Sequence, residues 1–432
     1  MAILIINSGR CSHGKCAFCG YGRIRGFEST KENVIECLNK FFETLAEDEV
    51  KVFGSGSFFD EKQIPADARR HFTQECRKHK VKKITLESRP EYVKDEILRE
   101  FDGLDLTVAI GLESADDELL KKLDKGYERA DFEAAAEKIH TVGQKVRAYL
   151  LVNPPYTQDI AESLRKSVEY TLKHADTIVL INLLPHSNAP LMRLWVDGEW
   201  RFLTRQEFKD ITKPWANEPR ISLDEETFKF IPSFPQHLKD DLRGVGEWYL
   251  THPHFEVWQD YLIRWYNPPQ GKTLIFLPCA YKKPYSLSDT HKKIIKILRK
   301  NHPSIFHEVM ISNAGVIPRE FEDKYPFADY DWNEREETSE IKTRYIEITT
   351  ERIRNYLTAH AKKYNKVVCF LKYDSESYKA LAKACEELGI EYKNLLSHET
   401  YETIKDSPKP MQSDEALANL EEGVSWCLQN ST

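Results

Sequence analysis

The stretch INSGRCSHGKCAFCGYGRIRGF, residues 6–27, decides how the first half of the chain is read. Three of the nine cysteines, Cys11, Cys16 and Cys19, stand there in C-x4-C-x2-C spacing, among glycines and with Phe18 directly before the third. The triplet follows the first apolar run, AILIIN (2–7). Further apolar runs lie at VKVFG (50–54), KKITLE (82–87), LDLTVAIG (104–111), QKVRAYLLV (144–152) and TIVLINL (177–183). Between most of them, stretches such as TKENVIECLNKFFETLAE (30–47) and RADFEAAAEKIHTVG (129–143) repeat apolar residues at helical spacing. Six strands with intervening helices predict parallel, right-handed β/α units, with functional loops at the strands' C-terminal ends. The expected fold class is α/β, an N-terminal partial (β/α)6 barrel over residues 1–183.

From 184 to 270 the texture changes. Trp195, Trp200, Trp215, Trp248, Trp258 and Trp265 fall here with many prolines, and an aromatic-rich lid or connecting segment is expected. Aromatic burial explains such residues more simply than base stacking. YNPPQGK (266–272) marks a boundary. Beyond it, strands at 273–278, 305–312 and 366–371 alternate with helices at 287–302, 349–365 and 375–389, predicting a smaller open-sheet α/β domain over 271–404. Residues 405–432 read as a polar tail with one short helix.

With 432 residues, 41% apolar and 30% charged, the chain has the composition of a globular protein of two or three domains. A net charge of −7 argues against broad charge-driven nucleic-acid binding. No apolar run approaches the roughly 20 residues of a membrane span. The start lacks a basic region before its apolar run, so a cytoplasmic location and reduced thiols are expected.

Three clustered thiolates are one fewer than a structural zinc site or an all-cysteine iron–sulfur cluster requires. A [4Fe–4S] cluster held by Cys11, Cys16 and Cys19 keeps one iron open to the amino and carboxylate groups of S-adenosyl-L-methionine (SAM). Splitting that sulfonium yields a carbon radical, which is chemistry supplied by the cofactor. The alternatives are a zinc site completed by His13, or three unrelated thiols.

In this light residues 1–182 resemble the radical SAM superfamily. Its common spacing is C-x3-C-x2-C with an aromatic before the last cysteine; here the first gap is one residue longer. GSGSFFD (54–60) takes the place of the family's Gly-Gly-Glu-type motif, without its acidic residue. The resemblance implies cofactor contacts from Phe18, from Gly54, Ser55, Gly56 and Ser57, and from Glu87 and Arg89 in LESRPEYV (86–93). It further implies Glu113 in AIGLESADDELLKKLDKGY (109–127) and Asn153 in LLVNPP (150–155).

LPCAYKKPYSLSDTHKKI (277–294) and ISNAGVIPREFEDKYPFADYDW (311–332) resemble the core domain of archaeosine synthases, with Ala280 where that family carries serine. Candidate substrate contacts are Cys279, Lys283, Ser286, His291, Arg319 and Asp331. For Cys279 the plainer reading is a small core residue, and for the charged residues an internal ion pair. Together the resemblances imply a radical SAM lyase of tRNA modification. It would break the lysine C–N bond of a lysine-bearing 7-deazaguanine to give archaeosine, acting with the lysine-adding alpha subunit, an electron donor and no membrane. Other readings are methylthiolation or elongator-like chemistry on tRNA, or a zinc-binding RNA adaptor.

Overall fold

The computed structural model describes residues 1–23, 30–186, 188–224, 231–300 and 305–429. The chain divides into two compact units, Met1–Phe230 and Ile231–Thr432.

The first unit is a seven-stranded, wholly parallel sheet in sequential order, curled as a half-barrel. Its strands are β1 (Ala2–Ile5), β2 (Glu49–Phe53), β3 (Lys83–Glu87), β4 (Asp105–Glu113), β5 (Lys145–Leu151), β6 (Thr177–Ile181) and β7 (Ile221–Asp224). Helices lie between successive strands, among them Lys31–Glu43, Ala66–Lys78, Arg129–Thr141 and Ile160–Thr171. Alternate strand residues, including Val50, Val52, Leu86, Val108, Val146, Ala148 and Leu150, meet helix residues Leu38, Phe42, Phe72, Phe132 and Val168 in one core. The period of two turns Lys51, Glu87, Arg147 and Tyr149 to the inner face.

One strand more is present than the sequence pattern predicts. β7 pairs with β6 in parallel, Val179 opposite Ser222 and Ile181 opposite Asp224. It lies inside 184–270, so that segment is not a single lid: its first part completes the half-barrel, and residues from Ile231 onward belong to the second unit. Trp195 and Trp200 are buried in the first unit and Trp258 in the second, whereas Trp248 is exposed.

The second unit holds β8 (Lys272–Pro278), β9 (Phe306–Ser312), β10 (Gly315–Pro318), β11 (Tyr364–Cys369) and β12 (Lys393–Asn394) in the order β10-β9-β8-β11-β12. Only β10 runs antiparallel, on β9. Central β8 buries Leu274, Ile275, Phe276 and Leu277 completely, the unbroken apolar run of a strand covered on both faces. The helix expected at 349–365 starts earlier, spanning Ser339–His360 behind a Thr338 cap. Residues 301–302 of the helix expected at 287–302 lie outside the described residues. The supposed polar tail carries a 16-residue helix, Asp414–Gln429, whose buried Ala416, Leu420, Val424 and Cys427 form an apolar stripe. Among the described residues, no helix is long and apolar enough to cross a membrane.

Candidate active site

The cysteine loop leaves β1 and is held by backbone bonds at several points. Ala17 donates its N–H to the Leu123 carbonyl at 2.8 Å and accepts the Leu191 N–H at 2.9 Å. Arg23 acts as an internal clamp: Nη1 donates to the carbonyls of Cys19 (3.1 Å) and Cys16 (3.4 Å), and Nη2 to that of Lys15 (3.4 Å). Cys16 is buried, and Cys11 and Cys19 are half-buried. Burial raises the Cys19 thiol to about 11 despite the Tyr21 N–H, and burial also raises Cys16.

His13 does not complete a zinc site with these thiols; its Nε2 meets the Asp124 carbonyl at 2.7 Å. Among the described residues, the metal-ligating atoms that converge within 4.8 Å do not include the three sulfurs. Thiolates about 2.3 Å from one zinc would lie within roughly 4 Å of each other. Their number fits a multi-iron cluster with one open corner.

The loop closes by direct backbone approach. A Cβ on Gly22 would lie 1.9 Å from the Gly14 Cα. Gly22→Ala is therefore expected to force the two backbones apart, at a cost of about 1–3 kcal/mol, and to lower iron and sulfide per chain. Gly143→Ala is the control: its φ of 73° strains an alanine, but nothing lies within 4 Å of the added carbon, so iron and sulfide per chain should stay unchanged. Equal iron content in the Gly22 variant and the wild type would refute this account of the loop.

The segment after β2 forms the adjoining wall. A small cavity there is lined by Ile6, Ser8, Gly54, Gly56, Ser57 and Glu87 among others. Gly56 is required because a Cβ would sit 2.3 Å from Gln63 Oε1, the atom that accepts the Ser57 N–H at 2.7 Å. The hydroxyls are engaged internally. Ser55 bonds Ser8 (3.0 Å) and the Gly9 carbonyl, while Ser57 pairs with Ser88 at 2.8 Å and accepts the Arg89 N–H at 3.3 Å. The Ser57 hydroxyl, expected from the sequence to meet the cofactor, thus also braces Ser88 and Arg89.

Glu87 ends β3 and receives the Gly54 N–H at 3.5 Å. Burial, opposed by that N–H and reinforced by the Glu113 charge, raises its carboxyl to about 7. An unfolded Glu titrates near 4.3, so the native chain binds this proton more tightly. Stability then falls as pH rises from roughly 4 to 7 and is level above. Glu87→Gln is expected to raise the unfolding temperature of the metal-free chain at pH 8, by the equivalent of about 1–3 kcal/mol, and to change little at pH 4. An equal gain at both pH values would assign the effect to packing.

Across the site, Glu113 and Lys125 form a 2.8 Å ion pair, each side chain 8% exposed. A register shift between Gly111 and Glu113 and a Glu113 φ of 69° aim this carboxylate inward. Burial alone would discharge Lys125, but Glu113, Tyr127 and Cys16 outweigh it and hold the ammonium charged. Its Nζ stands 5.4 Å over the Phe18 ring and 5.2 Å over Tyr127. Lys125 is the cationic residue that the motif reading passed over, although it lies in the same quoted stretch as Glu113.

Two of the expected ligands also make internal contacts. Arg89 donates through Nη2 to the Lys125 carbonyl (2.9 Å) and through Nε to Glu91 (2.5 Å). Asn153 is 1% exposed; it accepts the Leu183 N–H at 2.8 Å, and its own carbonyl accepts the Trp200 indole N–H.

In the second unit, Cys279 lines a pocket of about 1130 Å³ with Asn313, Trp332, Lys342, Tyr345 and Lys372. Burial raises its thiol to about 11. Lys283 Nζ lies 4.0 Å over the Tyr330 ring, and burial lowers its pKa. Arg319 is not available to a substrate carboxylate. Its nitrogens engage Glu308 (2.7 Å), Glu322 (2.8 Å) and His291 Nδ1 (2.9 Å). His291 is fully buried with Nε2 on the Pro278 carbonyl; burial first, then Arg319, lower it to about 3. Glu322 also accepts the Ser286 N–H, and Asp331 accepts the Trp332 N–H. Of the six expected contacts, Cys279 lines the pocket, Lys283 rests on the Tyr330 ring, His291 and Arg319 bond within the unit, Ser286 is engaged through its own backbone N–H, and Asp331 accepts that of Trp332.

Residues 5–182 match the radical SAM superfamily, whose cofactors are a [4Fe–4S] cluster and SAM, and residues 255–423 match a domain of unknown function, DUF5591. Several archaeosine synthase subunits are among the curated relatives. The chain is 30% identical to subunit beta of Methanosarcina acetivorans over 221 residues, 46% of this chain and 62% of that protein. Against subunit beta of Thermococcus kodakarensis the identity is 33% over 204 residues, covering 43% and 61%. Against subunit alpha of M. acetivorans it is 31% over 154 residues, covering 33% and 22%. The chain spans about three fifths of the length of the beta subunits it matches.

Proposed function

We propose that this chain is a radical SAM lyase of tRNA modification, releasing archaeosine from a lysine-bearing 7-deazaguanine. The observation that carries the reading is the union, in one chain, of a radical SAM domain akin to the beta subunit with a DUF5591 region and similarity to the alpha subunit.

The lysine side chain offers unactivated C–H bonds and no acidic proton, so no general base serves. With a [4Fe–4S] cluster and SAM bound, the domain would supply a 5′-deoxyadenosyl radical able to take such a hydrogen; breaking the neighbouring C–N bond would then release the lysine carbons as an alkene, and one electron from the external donor with a proton would complete the amidine. The protein's share is placement and exclusion of water. Cys11, Cys16 and Cys19 anchor the metal, Arg23 fixes their loop, and Gly54 and Gly56 let backbone come close. The Glu113–Lys125 pair keeps a fixed charge beside Phe18. Cys279 and Lys283 are the remaining candidates for substrate contact in the second unit. An external one-electron donor, and a partner like the alpha subunit to hold tRNA, complete the system; the net charge of −7 gives the chain little attraction of its own for RNA.

The test is to incubate reduced protein with SAM and lysine-bearing tRNA, with and without an alpha-type subunit, and to analyse nucleosides by mass spectrometry. Archaeosine with one 5′-deoxyadenosine per event supports the reading. Efficient SAM cleavage with the modified base left intact would overturn it.

A further inference from the structure

A second constellation of metal-ligating groups lies within the second unit and plays no part in the proposed reaction. His252 and His254 flank Pro253, the first residue of the helix Pro253–Arg264, and both imidazoles are buried, 1% and 3% exposed. They turn Nε2 toward the same atom, Asp240 Oδ2, at 3.3 Å and 3.7 Å. The three ligand atoms all lie within 4.8 Å of one another. Donors about 2.0–2.2 Å from a tetrahedral zinc are separated by roughly 3.3–3.6 Å, so this spacing needs little movement to close on an ion.

The surroundings resemble a supporting shell. His254 Nδ1 is 2.6 Å from the Tyr325 hydroxyl, which also accepts the Asp240 N–H at 2.9 Å. One phenol thereby orients a ligand imidazole and the backbone of the ligand carboxylate, as outer partners of metal-bound histidines do. His252 Nδ1 accepts the His254 N–H at 3.2 Å, which leaves the proton on Nε2 in the metal-free chain. Coordination through Nε2 moves that proton to Nδ1, which then no longer accepts the His254 N–H, so this one long capping bond is given up. Asp240 is largely exposed, its side chain at 58%, so the ion would be reached from solvent.

We propose that Asp240, His252 and His254 form a divalent-cation site, filled by zinc, with three protein ligands and a fourth position open to water. Two imidazoles and one carboxylate suit zinc rather than calcium or magnesium, which prefer all-oxygen shells. The ion would tie the loop at Asp240 to the start of a helix whose Phe255 and Trp258 are core residues.

The full chain, stripped by chelator, is titrated with Zn²⁺ and separately with Co²⁺, comparing wild type with Asp240→Asn. Asp240 is exposed, so this variant is expected to fold, and matching circular dichroism spectra verify that it does. The proposal expects one zinc that Asp240→Asn binds at least about a hundredfold more weakly. It also expects visible Co²⁺ bands of a four-coordinate ion without the near-ultraviolet charge transfer of thiolate ligands, which separates this site from the cysteine loop. Zinc binding unchanged in the variant, cobalt spectra showing only thiolate ligation, or no binding at micromolar metal would each overturn it.

Discussion

Replacing Cys11, Cys16 or Cys19 singly with alanine is expected to remove SAM cleavage altogether. Each is one of the three thiols in a loop pinned at Ala17 and clamped by Arg23. No fourth cysteine lies near them in sequence, so two remaining sulfurs cannot hold a cluster with one open corner. The loss should exceed the 10- to 100-fold typical of changes to groups that merely support a metal ligand. Iron and sulfide should fall in parallel with 5′-deoxyadenosine formation. Cys37→Ala, in the helix Lys31–Glu43, should leave both unchanged. A variant at 11, 16 or 19 that keeps full iron and turnover would strike that residue from the ligand set.

The second large effect is expected at the buried ion pair. Lys125→Ala strands Glu113 at 8% exposure without its partner, and Glu113→Ala strands the ammonium. Breaking a buried pair from one side costs about 3–5 kcal/mol, whereas replacing both charges by apolar groups of similar size costs far less or nothing. Urea unfolding of the first unit should therefore show either single change as much worse than Glu113→Leu with Lys125→Met. Near-additive losses in the double variant would mean that the pair contributes through packing alone. Activity separates structure from function here: if the double variant folds well yet cleaves no SAM, the charges themselves serve the site.

The parts of this molecule that follow local rules were legible in the sequence. Strands β2 to β6 alternate core and inner residues over several positions, and the helices between them repeat at 3.6. The cysteine loop was readable because ligand number and spacing are properties of the chain itself. β7 was not readable: ISLD is four residues long, carries two apolar side chains, and sits in a tryptophan- and proline-rich stretch whose composition suggested one continuous segment. Composition changes near 184 and 270, but the contacts change near 230, where Pro232 and Pro235 are only two among the many prolines of that stretch. The C-terminal helix was hidden by its polar face, although Ala416, Leu420, Val424 and Cys427 keep helical spacing.

The side-chain assignments divide in the same way. Glu113 was found from its motif, but its pairing with Lys125 depends on a register shift and a left-handed backbone at one residue, neither visible in one dimension. Arg319 looked like a carboxylate receptor because one of its partners, Glu308, lies on β9 and only the fold brings it near, although Glu322 stands three residues on. A charged residue in a motif identifies a family well and a free charge poorly.

The half-barrel ends at β1 on one side and at β7 on the other, and among the described residues no strand joins them. A ring of eight strands can be entered only through its rims, so whatever reaches its interior has to be slender and detached. An arc leaves a seam running the length of the strands. Any group still attached to a larger molecule can enter such a slot broadside, without first being cut free.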